Sequence, residues 1–366
     1  MADGGQKAKL RLIRTPNIGP VTYRQLMARF GSAEAALDAL PGLAARGGAR
    51  SFVAADPRAV ERELAAVDRL GARMIFIDDP AYPPLLAALD NAPAAITVRG
   101  DMALANRPCV AMVGARNASA AACRFARGLA QQLAGESLGG EGVSIVSGLA
   151  RGIDTAAHLG ALGGGTVAVI AGGIDTVFPP ENAELQQRIA ADGLLIAEQP
   201  PGTEPRARHF PYRNRIIAGL ALGTVVIEAA PRSGSLITAR IAGEIGREVM
   251  AVPGSPLDPR AQGCNALIRE GATLVQSAAD IMEALRPIDP RIVAGPAGGY
   301  RGPPIAADAD DADRAAVIAL LGPVPVPVDE LIRQSGRAAP IVQTVLLELE
   351  LAGRLERHAG ARVSLI

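Results

Sequence analysis

Short apolar runs alternate with segments of helical pattern between residues 109 and 254. The runs are rich in Val, Ile and Ala, which is typical of strands buried on both faces of a parallel sheet. Because strands that alternate with helices favour parallel pairing, the predicted fold class is α/β, with a Rossmann-like, doubly wound and mostly parallel sheet. The predicted strands are Cys109–Gly114, Val143–Gly148, Thr166–Gly173, Leu194–Glu198, Thr224–Glu228 and Glu248–Gly254.

The second of these strands leads into a candidate ligand site. Residues 143–158, VSIVSGLARGIDTAAH, predict a strand, a loop of small residues that contains Arg151, and the start of a helix. Backbone N–H groups and the helix dipole attract phosphate at such a place, and open α/β sheets bind ligands at the carboxyl ends of their strands. A tight turn without a ligand would give the same local pattern, so the phosphate interpretation depends on the rest of the chain.

Residues 210–215, FPYRNR, form the densest basic and aromatic cluster in a chain with only 3% aromatic residues. Arginines can hold a nucleic-acid backbone, and an aromatic ring can stack on a base. Phe210 would serve equally well as a core anchor, and Asn214 as a loop contact. Arg116 after the first strand, and Ser233-Gly234-Ser235 at a predicted helix N-terminus, are further phosphate candidates; a salt bridge and a helix cap are their structural alternatives.

Five motifs carry a family resemblance, in the order VGARNAS (113–119), VSGLARGID (146–154), FPYRNRIIAGL (210–220), SGSLITAR (233–240) and AVPGS (251–255). Together they resemble the DNA-processing protein A (DprA/Smf) family, and five ordered motifs are far more specific than one glycine pattern. The resemblance implies a homodimer, formed through the Rossmann-like domain. It also implies that the protein protects incoming single-stranded DNA and loads a RecA-type recombinase in natural transformation. The predicted DNA- and phosphate-binding residues are Gly114, Arg116, Ser147, Gly148, Arg151, Gly152, Phe210, Arg213, Asn214, Arg215, Ser233, Gly234 and Ser235.

The flanks of the sheet predict further domains. Residues 1–70 predict a small helical domain of the helix-hairpin-helix or SAM-like type, and residues 71–288 the Rossmann-like DNA-binding domain. Residues 289–310, rich in Pro, Gly, Ala and Asp, predict a flexible linker, and residues 311–366 a winged-helix domain. The N-terminal hairpin either presents N–H groups to a DNA phosphate or only packs. We favour packing, because the nearby arginines are sparse.

The third helix of the predicted winged helix, residues 339–352, argues against DNA reading. Such a helix needs Arg, Lys, Asn or Gln facing the bases. Its sequence, APIVQTVLLELELA, has no Arg or Lys, one Gln at Gln343, and acids at Glu348 and Glu350. We therefore expect this domain to regulate or to dock protein.

Composition limits the remaining possibilities. Basic and acidic residues balance at 37 each, so any anion site must be a local cluster. Cys109, Cys123 and Cys264 lie far apart without metal-type spacing, and no run approaches the ~18 apolar residues of a membrane span. We expect a cytoplasmic protein with no metal, no cofactor and no membrane partner.

No catalytic constellation emerges, so we expect no enzyme activity. The three histidines have no triad-like partners. Glu198 and Glu228, at strand ends, are expected to fix backbone N–H groups or to pair with Arg213 or Arg215. The alternative function is a nucleotide-processing enzyme that resembles the phosphoribohydrolases, or a nucleotide sensor. However, residues 253–263, PGSPLDPRAQG, do not match the PGGxGT-type loop of those enzymes.

Overall fold

The computed structural model describes residues 4–286, 309–358 and 360–366. Its packing separates two compact units, one made of Met1–Leu64 with Gly298–Ile366 and the other of Ala65–Ala297. The predicted linker, 289–310, lies outside the described residues except for its last two positions. The bounds of the three domains and the linker given above stay predictions.

The central unit is built on one large sheet. Its strands are β1 (Arg73–Phe76), β2 (Ala95–Gly100), β3 (Cys109–Gly114), β4 (Ser137–Leu138), β5 (Glu141–Gly142), β6 (Ser144–Ser147), β7 (Thr166–Gly173), β8 (Leu194–Gln199), β9 (Gly223–Ile227), β10 (Glu248–Ala251) and β11 (Thr273–Leu274). Among the described residues, nine of them form the order β1-β2-β8-β7-β6-β3-β9-β10-β11, and β4 pairs with β5 separately. In this order, every pair from β8 across the sheet to β11 is parallel, whereas β1 pairs with β2, and β2 with β8, in antiparallel fashion. The predicted mostly parallel α/β fold is therefore confirmed.

The strand order reverses at β3. Ala111 pairs with Val146 of β6 on one side and with Thr224 of β9 on the other. The chain first runs outwards from β3 through β6, β7 and β8, and then returns to the opposite side with β9. In open α/β sheets the ligand crevice lies beyond the carboxyl ends of the strands at this reversal.

Helices cover both faces of the sheet. They are α5 (Pro84–Ala87), α6 (Ala120–Ala134), α7 (Ile153–Ala161), α8 (Ala183–Asp192), α9 (His209–Leu220), α10 (Gly234–Glu244), α11 (Gln262–Arg269) and α12 (Ala278–Leu285), with short 3-10 helices at Met102–Ala105 and Pro180–Asn182. Successive strand residues point to opposite faces. Ala111 and Val113 therefore share a core with Ile216 of α9, while Met112 shares the other core with Leu129 of α6.

The other unit combines elements from both ends of the chain. Its helices and strands are α1 (Gly4–Arg14), α2 (Pro20–Phe30), α3 (Ala33–Arg46), α13 (Asp311–Ile318), β12 (Val326–Pro327), α14 (Val328–Ser335), α15 (Ala339–Leu351), β13 (Leu355–His358) and β14 (Arg362–Leu365). A further helix, α4 (Pro57–Arg69), crosses the boundary between the units. The C-terminal elements form a three-stranded sheet, β12-β14-β13, against three helices, which confirms the predicted winged helix.

Candidate nucleic-acid interface

A cleft opens at the carboxyl ends of β3, β6 and β7, beside the reversal of strand order. Its empty space, counting the open mouth, is about 570 Å³. Three arginines and two phenylalanines line it, so it is both cationic and aromatic. The lining residues are Arg116, Gly148, Ala150, Arg151, Ile170, Ala171, Gly172, Thr176, Phe178, Pro179, Pro205, Phe210 and Arg213.

The ring of Phe210 lies close to two of the arginines. The guanidinium carbon of Arg116 is 5.0 Å from the ring centroid, and that of Arg213 is 6.0 Å away. Both distances are within reach of a cation–π attraction. Phe210 thus brings together an arginine from the loop after β3 and one from α9.

Phe178 is a cleft residue that the sequence analysis missed. Its ring centroid is 5.8 Å from that of Phe210, with the planes tilted by 58°. The side chain remains 46% exposed, which is unusual for Phe in a folded chain. Its position a few residues beyond the end of β7 was the available sequence signal, because the carboxyl end of a central strand is where ligand contacts collect.

Arg213 is a buried cation. Only 7% of it is exposed, and burial lowers its pKa to about 10, with the charge of Asp154 opposing that shift. Its Nε has no hydrogen-bond partner among the described residues. Because Arg213 lines the cleft, its guanidinium is able to hold an anion there.

The carboxylate of Asp154 supports the loop after β6 from within. It accepts hydrogen bonds from the backbone N–H groups of Gly148 at 3.1 Å and Ala150 at 3.3 Å. Burial raises the pKa of Asp154, whereas the charge of Arg213 and these N–H groups lower it. Asp154 therefore shapes the loop and partly balances the buried arginine.

Arg215 lies on the same helix as Arg213 but outside the cleft lining. It is buried and forms an ion pair with Glu198 at the end of β8. This confirms the structural role that we expected of Glu198. Arg151, by contrast, lines the cleft as a largely exposed residue and pairs with Glu181 on the surface.

Two predicted glycines have packing roles around the Arg116 loop. A Cβ on Gly152 would lie 2.3 Å from the carbonyl oxygen of Ala115, and its φ of +75° also favours glycine. A Cβ on Gly114 would lie 1.9 Å from the carbonyl oxygen of Ile227. These close approaches fix the loop that carries Arg116, which leaves β3 before α6 begins at Ala120.

The N-terminus of α6 is already occupied by a side chain of this chain. Glu228 accepts hydrogen bonds from the backbone N–H of Ser119 at 2.8 Å and from its hydroxyl at 2.6 Å. Glu228 adopts a left-handed backbone conformation, with φ of +50°, which is unfavourable for a non-glycine residue. The expected role of Glu228 in fixing a backbone N–H group is confirmed.

The remaining predicted residues lie outside the cleft lining. Ser233 caps α10 by accepting a hydrogen bond from the N–H of Ser235, and Asn214 donates to the carbonyl oxygen of Gly234 at 3.4 Å. The hydroxyl of Ser147 donates to the carbonyl oxygen of Met112 at 2.6 Å and is buried. The structure thus brings together Arg116, Gly148, Arg151, Phe210 and Arg213 in one cleft.

Other chemistry finds little support in the described part of the chain. No group of three or more His, Cys, Asp or Glu side chains there is arranged to hold a metal ion. Burial raises the pKa of Cys109 to about 12 and that of Cys264 to about 11, which keeps both thiols protonated. Among the described helices, none combines the length and apolar character required to cross a membrane.

Comparisons with known proteins agree with the motifs. The family model described as DNA recombination-mediator protein A matches residues 73–286. A DprA-like N-terminal HHH domain matches residues 4–66, and a DprA winged helix domain matches residues 301–361. DNA processing protein DprA of Streptococcus pneumoniae is 47% identical over 206 residues, covering 56% of this chain and 71% of that protein. Protein Smf of Escherichia coli is 37% identical over 324 residues, covering 87% of this chain and 84% of that protein.

Two solved structures extend these similarities to the fold. The crystal structure of DprA from Streptococcus pneumoniae has a TM-score of 0.60 at 37% identity, covering 75% of this chain and 95% of that one. A DprA structure from Helicobacter pylori, described as showing a single-stranded DNA binding mode, has a TM-score of 0.53 at 26% identity, covering 58% and 95%. By its sequence, its domains and its fold, this chain belongs to the DNA recombination-mediator protein A family, the DprA/Smf family that its motifs resemble.

Proposed function

We propose that this protein binds single-stranded DNA in the cleft at the carboxyl ends of β3, β6 and β7. The observation that carries the proposal is the ring of Phe210 within cation–π distance of both Arg116 and Arg213, with the half-exposed ring of Phe178 beside it. Guanidinium groups bind phosphate through paired N–H donors, and exposed rings stack on bases. A single strand offers both groups together, whereas the bases of a duplex are already stacked.

Binding of this kind tolerates sequence variation. Arginine contacts to phosphate carry no sequence information, and every base has a face on which a ring can stack. In this proposal Arg116, Arg151 and Arg213 contact phosphates, and Phe178 and Phe210 contact bases. Gly148 and Gly152 keep the loops close enough for these contacts, while Arg215 positions α9 through Glu198.

The chain acts by binding and not by catalysis. The two acids at strand ends, Glu198 and Glu228, are already bonded to Arg215 and Ser119. A phosphoribohydrolase would need an unpaired catalytic carboxylate at this edge of the sheet. A nucleotide sensor would need side chains there that together recognise the base, the sugar and the phosphate. Family membership supports the rest of the proposal: a cytoplasmic homodimer, formed through the Rossmann-like domain, that protects incoming single strands and loads a RecA-type recombinase.

The deciding experiment is oligo(dT) binding by fluorescence anisotropy over a series of salt concentrations. Arg116→Ala and Arg213→Ala should each weaken binding, and each lost phosphate contact should flatten the slope of log K against log salt by about 0.7. Arg188→Ala is the matched control, because Arg188 is an exposed arginine on α8 outside the cleft lining.

Unchanged affinity and slope in both cleft variants would contradict the proposed site. Release of a free base from AMP by the wild-type protein would favour the phosphoribohydrolase alternative. Circular dichroism of each variant separates a lost contact from a lost fold.

A further inference from the structure

The third helix of the winged helix, α15, is buried on both of its long faces. One face, which includes Val342, Val345 and Leu349, belongs to the apolar core of the winged helix. On the other side Leu347 and Leu351 are 0% and 1% exposed. In a winged helix that binds DNA this second face enters the major groove. Here it packs along α3 of the N-terminal helical domain.

Polar contacts join the two domains around this packed face. Gln25 donates a hydrogen bond to the side-chain oxygen of Gln343 at 2.9 Å, and Asn17 donates to the carbonyl oxygen of Leu351 at 3.4 Å. Arg354 donates to the carbonyl oxygen of Gly47 at 3.1 Å. Asn17 lies in the connection between α1 and α2, which would face a phosphate in a DNA-binding helix-hairpin-helix.

Glu348 of the winged helix forms an ion pair with the N-terminal helical domain. Its carboxylate is only 1% exposed and accepts hydrogen bonds from Arg46 of α3 and from Arg314 of α13, each at 2.8 Å from a guanidinium Nε. Arg46 and Arg314 come from opposite ends of the chain. A buried carboxylate that loses a partner is left with an uncompensated charge, so separation of the domains is unfavourable.

The backbones themselves meet at Gly47. A Cβ at this position would lie 1.9 Å from the carbonyl oxygen of Glu348 and 2.9 Å from the Cβ of Ala352. The φ of Gly47 is −72°, a conformation that any residue adopts within its own domain. The requirement for glycine at this place therefore comes from the winged helix and not from the local turn.

We propose that the N-terminal helical domain and the winged helix are partners of one another, and that α15 docks on α3 of the same chain through its groove-facing surface. The docked face is unavailable to duplex DNA. In sequence, the Rossmann-like domain is inserted between the two segments, N-terminal and C-terminal, that together form one compact unit. This inference is independent of the proposed single-stranded DNA site, which lies in the other unit.

The test is to cut the chain between the two partners. A site-specific protease sequence inserted between residues 289 and 308 allows the full-length protein to be cleaved after folding. The C-terminal fragment should then co-elute with the remainder on gel filtration at about 1 µM, far below the roughly millimolar effective concentration that a short tether supplies. Elution of the wild-type fragments as separate species would overturn the proposal.

Two pairs of variants make the test specific. Gly47→Ala should separate the cleaved fragments, whereas Gly42→Ala should not, because a Cβ on Gly42 meets only the end of the Arg46 side chain, at 4.0 Å. Arg46→Glu should separate them as well, whereas Arg50→Glu, at an exposed arginine beyond the end of α3, should not. We expect the apparent dissociation constant to rise at least tenfold in Gly47→Ala and Arg46→Glu.

Retention of both variants at the wild-type affinity would contradict docking through this face. Helix content measured by circular dichroism before cleavage shows whether each variant has folded. If Gly47→Ala lost helix content, Arg46→Glu would still decide the question, because its side chain is 38% exposed and its replacement leaves the core of α3 intact.

Discussion

The guanidinium of Arg213 lies directly against the backbone of Gly148, so that a Cβ on Gly148 would fall 1.4 Å from a terminal nitrogen of the arginine. Gly148 follows β6 and Arg213 belongs to α9, so this contact joins the two segments on which the cleft depends. A methyl group and the guanidinium cannot occupy this space together. Because the clashing atom is at the end of a side chain, the arginine would move before the backbone does.

We therefore predict that Gly148→Ala reduces oligo(dT) affinity about as much as Arg213→Ala, with little loss of stability. Gly163→Ala is the control, since a Cβ there meets no atom within 4 Å. Binding and thermal unfolding of both variants give the comparison. Full oligo(dT) affinity in Gly148→Ala would show that the position of Arg213 is unimportant.

Arg215→Ala should act on stability more than on DNA binding. The substitution leaves the mostly buried carboxylate of Glu198 without its partner, which should lower the free energy of unfolding by about 3 kcal/mol. The double variant Arg215→Ala with Glu198→Ala should recover part of the loss, because no unpaired charge remains. Urea unfolding measures both, and an unchanged salt slope of oligo(dT) binding would separate Arg215 from the phosphate contacts. A stable Arg215→Ala protein with a flattened slope would instead assign Arg215 to the DNA site.

His158 predicts a pH dependence of stability. Burial lowers its pKa to about 3, and its Nδ1 lies 2.7 Å from the hydroxyl of Thr166. The unfolded chain takes up a proton on this residue below pH about 6.5, while the folded chain does not, so stability falls as the pH drops from about 6.5 towards 3. At pH 5 the contribution of this residue should have fallen by about 2 kcal/mol relative to pH 7.

The comparison that isolates this effect is wild type against His158→Gln, unfolded by urea at pH 7 and pH 5. The raised pKa of Asp154 acts in the opposite direction, but it is common to both proteins and cancels in the difference. An identical loss of stability in the two proteins would show that His158 is protonated, or exposed, in the folded state.

The proposed recombinase-loading role predicts a kinetic effect. Assembly of a RecA-type filament on DNA already coated by single-strand-binding protein should be faster with this protein than without it. The increase in assembly rate should be small with Arg116→Ala and Arg213→Ala, because each variant lacks one of the proposed phosphate contacts. Filament assembly that is equally fast without the protein would count against loading.

The sequence predicted the elements and the edge of the sheet at which the cleft lies, because short apolar runs and small-residue loops are local signals. Motif context also predicted Arg116, Phe210 and Arg213 as phosphate or DNA contacts, and the structure places these three residues in the cleft lining. The sequence did not distinguish Arg213 from Arg215, although these residues are two positions apart on one helix. Side chains at that spacing point in different directions, and only the surrounding packing determines which one faces the cleft.

The partner of α15 was also beyond the sequence. The acids and apolar residues of residues 339–352 indicated that the domain regulates or docks protein, and in our proposal the docking surface is α3. Arg46, on that surface, is about 300 positions from Glu348 in the sequence. Gly47, the residue on α3 whose identity the contact requires most clearly, has a φ that any residue can adopt. A contact of this kind leaves no local sequence pattern, because glycine is required at this position by the close approach of another domain and not by the turn in which it lies.

The last prediction concerns removal of the winged helix. Truncation near Pro296 removes α15 and uncovers the face of α3 against which that helix packs. Uncovered apolar surface favours association, so the truncated protein should aggregate more readily than the full chain.

Cleavage of the linker, by contrast, leaves α15 in place. The cleaved protein should bind oligo(dT) within a few-fold of the intact chain, because the cleft belongs to the other unit. Light scattering and anisotropy on the three proteins distinguish the two effects. Loss of most oligo(dT) affinity on cleavage alone would mean that an intact connection to the winged helix contributes to the DNA site.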